Sequence, residues 1–271
     1  MVDKLVLYSG GYDSTLMLLE QLQFNDVSIL YVAGRQCPNK MAAEISSIRR
    51  LLDYLRLNPL PFKVTHFHFV ANPISSEALN SWTSGLTQPI QWMLGASFVR
   101  WHYDELLYGR IKGDDCSLFA DEIDDFWHAM QVIISRRHYT ALVSPITHLS
   151  KLDVIHKLYL EYPWALKTIF TCQLPNASKE IEGGYRKLEP CGECSSCNSE
   201  RIAFRTLAVK HNIHLTRKWI IISSKLVTEC NDQFKKESSF VRMIHCGDRI
   251  TRRFPFHAKH DPDVIEKDEV V

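Results

Sequence analysis

Two groups of residues in this 271-residue chain have the types and spacing for chemistry. The first is Ser9-Gly10-Gly11-Tyr12-Asp13-Ser14-Thr15, set between the apolar runs Leu5-Val6-Leu7-Tyr8 and Leu16-Met17-Leu18-Leu19. Paired glycines let a backbone approach an anion with no Cβ in the way, successive N–H groups turn inward, and a following helix presents its positive end. The hydroxyls of Ser9, Ser14 and Thr15 add donors, so the stretch reads as a phosphate cradle at a strand-to-helix junction. It is not a Walker loop, because no Gly-Lys-Ser/Thr follows four residues after a first glycine. A bare Gly-Gly turn with a helix cap is the plainer alternative. The second group is Cys172 with Cys191-Gly192-Glu193-Cys194-Ser195-Ser196-Cys197. Three cysteines spaced two apart wrap a turn so that their sulfurs converge, and a distant fourth completes the soft ligand set of a structural zinc site. An iron–sulfur cluster is the rival, although the further cysteine and proline of a ferredoxin run are missing, and free thiols are the remaining reading. Four thiolates leave a zinc ion no open position, so the expected role is to close the fold.

The cradle needs a strand before it and a helix after it, and the chain supplies that alternation several times. Val27 to Ala33, Lys63 to Val70, Glu105 to Gly109 and Leu142 to Ile146 read as further strands. Between them, Met41, Ile45, Ile48, Leu52 and Leu55 recur at helical spacing, Pro89 to Tyr103 and Phe119 to Arg136 read as helices, and Ser150-Lys151-Leu152-Asp153 is a capping box opening a helix to Tyr162. Alternating strands and helices predict an α/β fold, a parallel sheet with helices on both faces. In such sheets ligands sit beyond the carboxyl ends of the strands, which gathers the glycine loop, Tyr31 and Val32, Gly109, and the Ser144 to Lys151 stretch. Lys151 is placed against the helix macrodipole, so an anion is expected beside it; the α-phosphate of ATP is one candidate, and a lysine stretching out to solvent is the alternative.

Composition bounds the rest. With 45% hydrophobic and 23% charged residues the chain is long enough for one large core, and a formal net charge of +1 gives no support to nucleic acid as a partner. No apolar run approaches the roughly 20 residues of a membrane span, and the N-terminal apolar run is broken by glycines and Asp13, so a cytoplasmic protein with reduced cysteines and no membrane partner is expected.

Taken together, Ser9 to Ser14, Ser144-Pro145 leading to Leu149-Ser150-Lys151, Thr171-Cys172 and Cys191 to Cys197 resemble the 7-cyano-7-deazaguanine synthases (QueC), a branch of the PP-loop ATP pyrophosphatases. The likeness spans about residues 4 to 205, with weaker matches at Gly34-Arg35-Gln36 and Asp125 to Met130. It implies a C–N ligase that uses ATP and Mg²⁺ to adenylate 7-carboxy-7-deazaguanine, releasing pyrophosphate, after which ammonia gives an amide and then a nitrile. It also implies that Ser9, Gly10, Gly11, Asp13 and Ser14 hold the phosphates, that Lys151 faces the α-phosphate, and that Cys172, Cys191, Cys194 and Cys197 hold Zn²⁺. The organisation expected is a nucleotide-binding domain over 1–165, a cysteine module with a helix over 166–212 and an extension over 213–271, with a homodimer as the oligomer to test. Departures fall on the acceptor side: Gly34-Arg35-Gln36-Cys37, Gly85-Leu86-Thr87-Gln88 and Ile111 to Cys116 differ from the family pattern, of which the last segment keeps only Asp115-Cys116. In the extension, Trp219 to Ile222 reads as an added strand and Lys235 to Lys259 is locally basic. Similar proteins of bacterial antiviral (CBASS) systems are expected to join the deazaguanine to an amine of a partner protein, which stands as the alternative acceptor. A non-catalytic nucleotide-binding scaffold is the third reading.

Overall fold

The computed structural model describes residues 2–33, 37–71, 84–134, 138–181, 184–215, 220–235 and 240–245. In chain order the strands and helices are β1 (Lys4–Leu7), α1 (Tyr12–Gln21), β2 (Val27–Ala33), α2 (Pro38–Leu57), β3 (Val64–Ala71), α3 (Ser84–Ser97), β4 (Glu105–Leu107), the one-turn α4 (Asp115–Leu118), α5 (Ala120–Ile134), β5 (Ala141–Val143), α6 (Lys151–Glu161), β6 (Asn176–Ile181), β7 (Tyr185–Glu189), α7 (Ser195–His211), β8 (Ile220–Ser223), α8 (Ser224–Lys235) and β9 (Phe240–His245). The main sheet runs β5-β4-β1-β2-β3-β9. Its first five strands are parallel, and β9 closes the β3 edge antiparallel.

Period-two alternation sorts the sheet residues onto two covered faces. Val6, Tyr8, Ile29, Tyr31, Phe67 and Phe69 point into the larger core, against apolar residues of α1, α2 and α6. Leu5, Leu7, Leu30, Val32 and Val70 point the other way, onto Met93 and Ala96 of α3 and Ile123, Trp127 and Met130 of α5. The α/β fold with helices on both faces is therefore the one expected. Because both faces are covered, β3 is buried throughout from Phe67 to Ala71.

Several boundaries differ from expectation. Strand β5 stops at Val143, because the Ser144 hydroxyl leaves the ladder and donates to the carbonyls of Tyr108 and Arg110. Helix α3 starts at Ser84 with Pro89 inside it, where a proline start was expected; the helix continues through the ring with one N–H donor fewer. It ends at Ser97, and a separate 3₁₀ turn covers Arg100–His102.

The extension folds back onto both sheets. Ile220–Ser223 is indeed a strand, and it completes a second, antiparallel sheet β6-β7-β8. Trp219 and most of the basic 235–259 stretch lie outside the described residues.

Candidate functional site

The strand order places β1 between β2 and β4, so the crossovers leave β1 in opposite directions and open a crevice between the carboxyl ends of β1 and β4. The glycine loop fills one side of that crevice and Gly109 the other. Gly10 has φ +78°, a conformation that favours glycine, and a Cβ there would meet Ser47 Cβ of α2 at 2.8 Å. At Gly109 a Cβ would stand 3.1 Å from the Ser14 amide nitrogen, so the chain leaving β4 runs hard against the first turn of α1. These two contacts leave room for backbone only.

Gly11 caps α1 and brings no side chain to bond the first-turn N–H groups of that helix. Ser9 and Ser14 face each other with hydroxyls 3.3 Å apart, and the Ser14 hydroxyl accepts from the Ser9 amide while donating to the Gly11 carbonyl. Thr15 differs from its expected role. It is fully buried, and its hydroxyl lies 3.3 Å from the buried Tyr8 hydroxyl, so its side chain supports the loop from beneath.

Lys151 is the first residue of α6, behind a complete Ser150–Asp153 capping box. The anion expected beside it is present: Lys151 Nζ lies 2.5 Å from Asp13 Oδ2. Helices α1 and α6 are also tied by Lys157 and Glu20, which keeps both ends of the pair in place. Asp13 Oδ1 is buried without a hydrogen-bond partner. An unpaired carboxylate oxygen beside the glycine loop fits a cation held against it.

Tyr31 and Val32 sit at the carboxyl end of β2, lining a small hollow under the loop with Leu7, Ser9 and Gly11. The Tyr31 ring is buried and its hydroxyl donates to Glu44 Oε2 at 2.8 Å. Burial holds the Glu44 carboxyl above its ordinary range, against the pull of Lys40.

Above the loop opens a cavity of about 640 Å³. Ser9, Gly11, Asp13, Gly109 and Lys151 line it on the glycine-loop side; Gln88, Gly113, Asp114 and Cys116 come from the segments whose sequence departs from the pattern of the resembled family. Burial raises the Asp114 carboxyl, and the charge of Asp13 raises it further. Gly34 to Gln36 lie outside the described residues, as do the side chains of Gly85 to Thr87. Lys40, Glu44, Trp92 and Glu200 also line this cavity and were not singled out from the sequence, since nothing in their local pattern separates them from ordinary helix residues.

The four cysteines come together as their spacing predicts. The sulfurs of Cys172, Cys191, Cys194 and Cys197 all lie within 4.8 Å of one another. Backbone N–H groups turn toward them: Cys191 N donates to Cys172 Sγ at 3.1 Å, Cys194 N to Cys191 Sγ at 3.4 Å and Gln173 N to Cys194 Sγ at 3.5 Å. Burial pushes the Cys172 thiol up to about 11 and Cys197 higher still. At Cys191 burial acts the same way, but N–H donors from Glu193 and Cys194 prevail and hold its thiol near 6. A cation among the sulfurs favours the thiolate at all four. The three close-spaced cysteines also start α7, so the cluster sets where that helix begins and thereby which residues Ser195, Ser196, Ser199 and Glu200 present to the 640 Å³ cavity.

Among the described residues no helix is long and apolar enough to cross a membrane. No protein-family model matches the chain, and no curated protein matches it. Among solved structures it is similar to the U34-tRNA thiolase NcsA from Methanococcus maripaludis with its 4Fe-4S cluster, at 12% identity over 86% of this chain and 73% of that one, with a TM-score of 0.37. A likeness at that level says nothing of what this chain does.

Proposed function

We propose that the protein is a PP-loop ATP pyrophosphatase of the QueC type, which adenylates the carboxylate of a 7-deazaguanine and passes the acyl group to an amine nitrogen. The observation that carries this reading is the Asp13–Lys151 pair, 2.5 Å apart, beside an uncapped glycine loop at the β1/β4 crevice. A carboxylate is a poor acyl donor until its oxygen is tied to a good leaving group. The loop N–H groups and the Ser9 and Ser14 hydroxyls hold the β- and γ-phosphates, and Lys151 neutralises charge gathering on the α-phosphate as pyrophosphate departs. Asp13 faces a polyanion, which it tolerates only with a cation shared between them; Mg²⁺, when bound, would supply that charge at Asp13 Oδ1. Ammonia is the simplest acceptor, giving amide and then nitrile.

The cysteine cluster holds one Zn²⁺ in this reading. Zinc–sulfur bonds of about 2.3 Å in a tetrahedron put sulfurs about 3.8 Å apart, which suits the observed spread of up to 4.8 Å. An iron–sulfur cube attaches each cysteine to a different iron and needs a larger tetrahedron of sulfurs.

The test is product analysis with ATP and 7-carboxy-7-deazaguanine. AMP and pyrophosphate are expected, and Asp13→Ala or Lys151→Ala slows their release at least ~100-fold, as for lost electrostatic stabilisation. Release of ADP and phosphate would refute the assignment, and bound ATP with no turnover would favour a nucleotide-binding scaffold.

A further inference from the structure

A second cavity of about 290 Å³ lies behind the first, between α6, α7 and the cysteine loop. The two cavities share Tyr12, Phe170, Thr171 and Glu200 as common lining, so these residues form the wall between them. One part of the second cavity's wall is apolar, formed by the Tyr159 ring, Leu166, Ile169, Phe204 and Leu215. Lys167 and His214 also line it, but both are exposed to solvent, which screens them. Among the described residues Glu200 is the one carboxylate in its lining, and it is 7% exposed.

Glu200 is joined to the phosphate site through one aromatic ring. The Tyr12 hydroxyl donates to Glu200 Oε1 at 2.5 Å, and the Tyr12 ring centroid lies 6.0 Å from Lys151 Nζ. A buried carboxylate is costly to keep without a purpose or a partner. The Tyr12 bond supplies such a partner, and would suffice for a pin between α1 and α7. A pin does not explain why the carboxylate borders two cavities.

We propose that the second cavity is the acceptor subsite, taking a primary amine carried on a hydrocarbon stem, with Glu200 receiving its ammonium head. This rests on the adenylation reading above. The stem packs against the apolar walls, and the head enters the common wall facing the adenylate. Once the ammonium has given up its first proton, the nitrogen lone pair forms the C–N bond to the acyl carbon; the bond from that carbon to the AMP phosphate oxygen breaks, and AMP leaves with that electron pair. Of the two protons the ammonium nitrogen loses, one passes to Glu200 and the other to solvent water. Ammonia fits the same floor but forgoes the stem contacts.

Calorimetric titration of n-butylammonium into the full-length protein tests the subsite without ATP. Saturable binding is expected, at least ~10-fold tighter than methylammonium, and at least ~10-fold weaker in Glu200→Gln, the loss expected for a charge-assisted hydrogen bond. Glutamine keeps an oxygen for Tyr12, so the pin survives in that variant. Leu215→Trp, which fills the cavity, abolishes the preference for the longer stem. Equal binding of the two amines, or undiminished binding in Glu200→Gln, overturns the proposal. With ATP and the deazaguanine acid added, mass spectrometry reads the butylamide, and pyrophosphate exchange into ATP reads adenylation separately. Amine binding with no exchange sinks the adenylation reading and leaves the amine subsite standing, whereas exchange with no stem preference or Glu200 dependence does the reverse.

Discussion

Replacing Gly10 with alanine perturbs the cradle at the point where its geometry is tightest, and two effects add. At φ +78° an alanine sits in the left-handed region, costing about 1–2 kcal/mol. Its Cβ also arrives 2.8 Å from Ser47 Cβ and 3.4 Å from the Glu44 carbonyl oxygen. Ser47 is fully buried on α2 and its Cβ is fixed to the helix, so it yields only by moving backbone, an overpacking cost of about 1–3 kcal/mol. The sum is about 2–5 kcal/mol, enough to remove a large part of the stability of an ordinary domain. The two terms separate in a double-mutant cycle with Ser47→Gly. That change deletes the opposing Cβ at about 0.5–1 kcal/mol for a glycine inside a helix. Urea denaturation of the four proteins is expected to show the double variant less destabilised than the sum of the singles by about 1–3 kcal/mol, the clash term alone. Additivity within about 0.5 kcal/mol would refute the claim that α2 seats the glycine loop by contact, and would leave the backbone term as the whole effect.

Other outcomes follow from the same structure. Elemental analysis of the purified protein is expected to give about one zinc per chain, and Cys194→Ser to lose the metal and solubility together; a brown protein containing iron and sulfide would overturn the single-ion reading. His68 is buried against the Tyr103 hydroxyl at 2.5 Å, and burial, with the charges of His66 and His102 acting the same way, lowers it to about 4. Its neutral form is therefore favoured by folding: its contribution is complete above the unfolded value near 6.5 and is lost as pH falls toward 4, up to about 3 kcal/mol. Urea midpoints measured over that pH window should fall, and should fall less in His68→Phe. Ser150→Ala removes one half of the capping box and should lower stability by about 1 kcal/mol, while loosening Lys151 enough to raise the KM for ATP; an unchanged KM would show that α6 holds Lys151 without its cap.

The parts of this protein that rest on local pattern were legible in its sequence. Strand β2 is legible with its boundaries because a run of seven residues in which only Ser28 is polar has no other stable use than a strand buried on both faces. The capping box before Lys151 and the convergence of four cysteines were likewise carried by spacing, since each depends on residues within a turn or two, plus one distant cysteine. The hairpin of β6 and β7 was missed: its strands are polar and do not alternate cleanly, and the Gly183-Gly184 pair between them was the available signal. Other features had no local signal at all. That the anion beside Lys151 is Asp13, 138 residues away, follows from the packing of α6 on α1. That Thr15 turns inward to Tyr8 follows from which face of α1 meets the sheet. Glu200 looks like any helical glutamate until the cysteine cluster starts α7 where it does and aims that position at Tyr12. Residue types and short spacings carry the chemistry a segment is able to do. Which groups meet across the chain is decided by burial of the two sheet faces, because only that packing determines how the helices sit over the crevice.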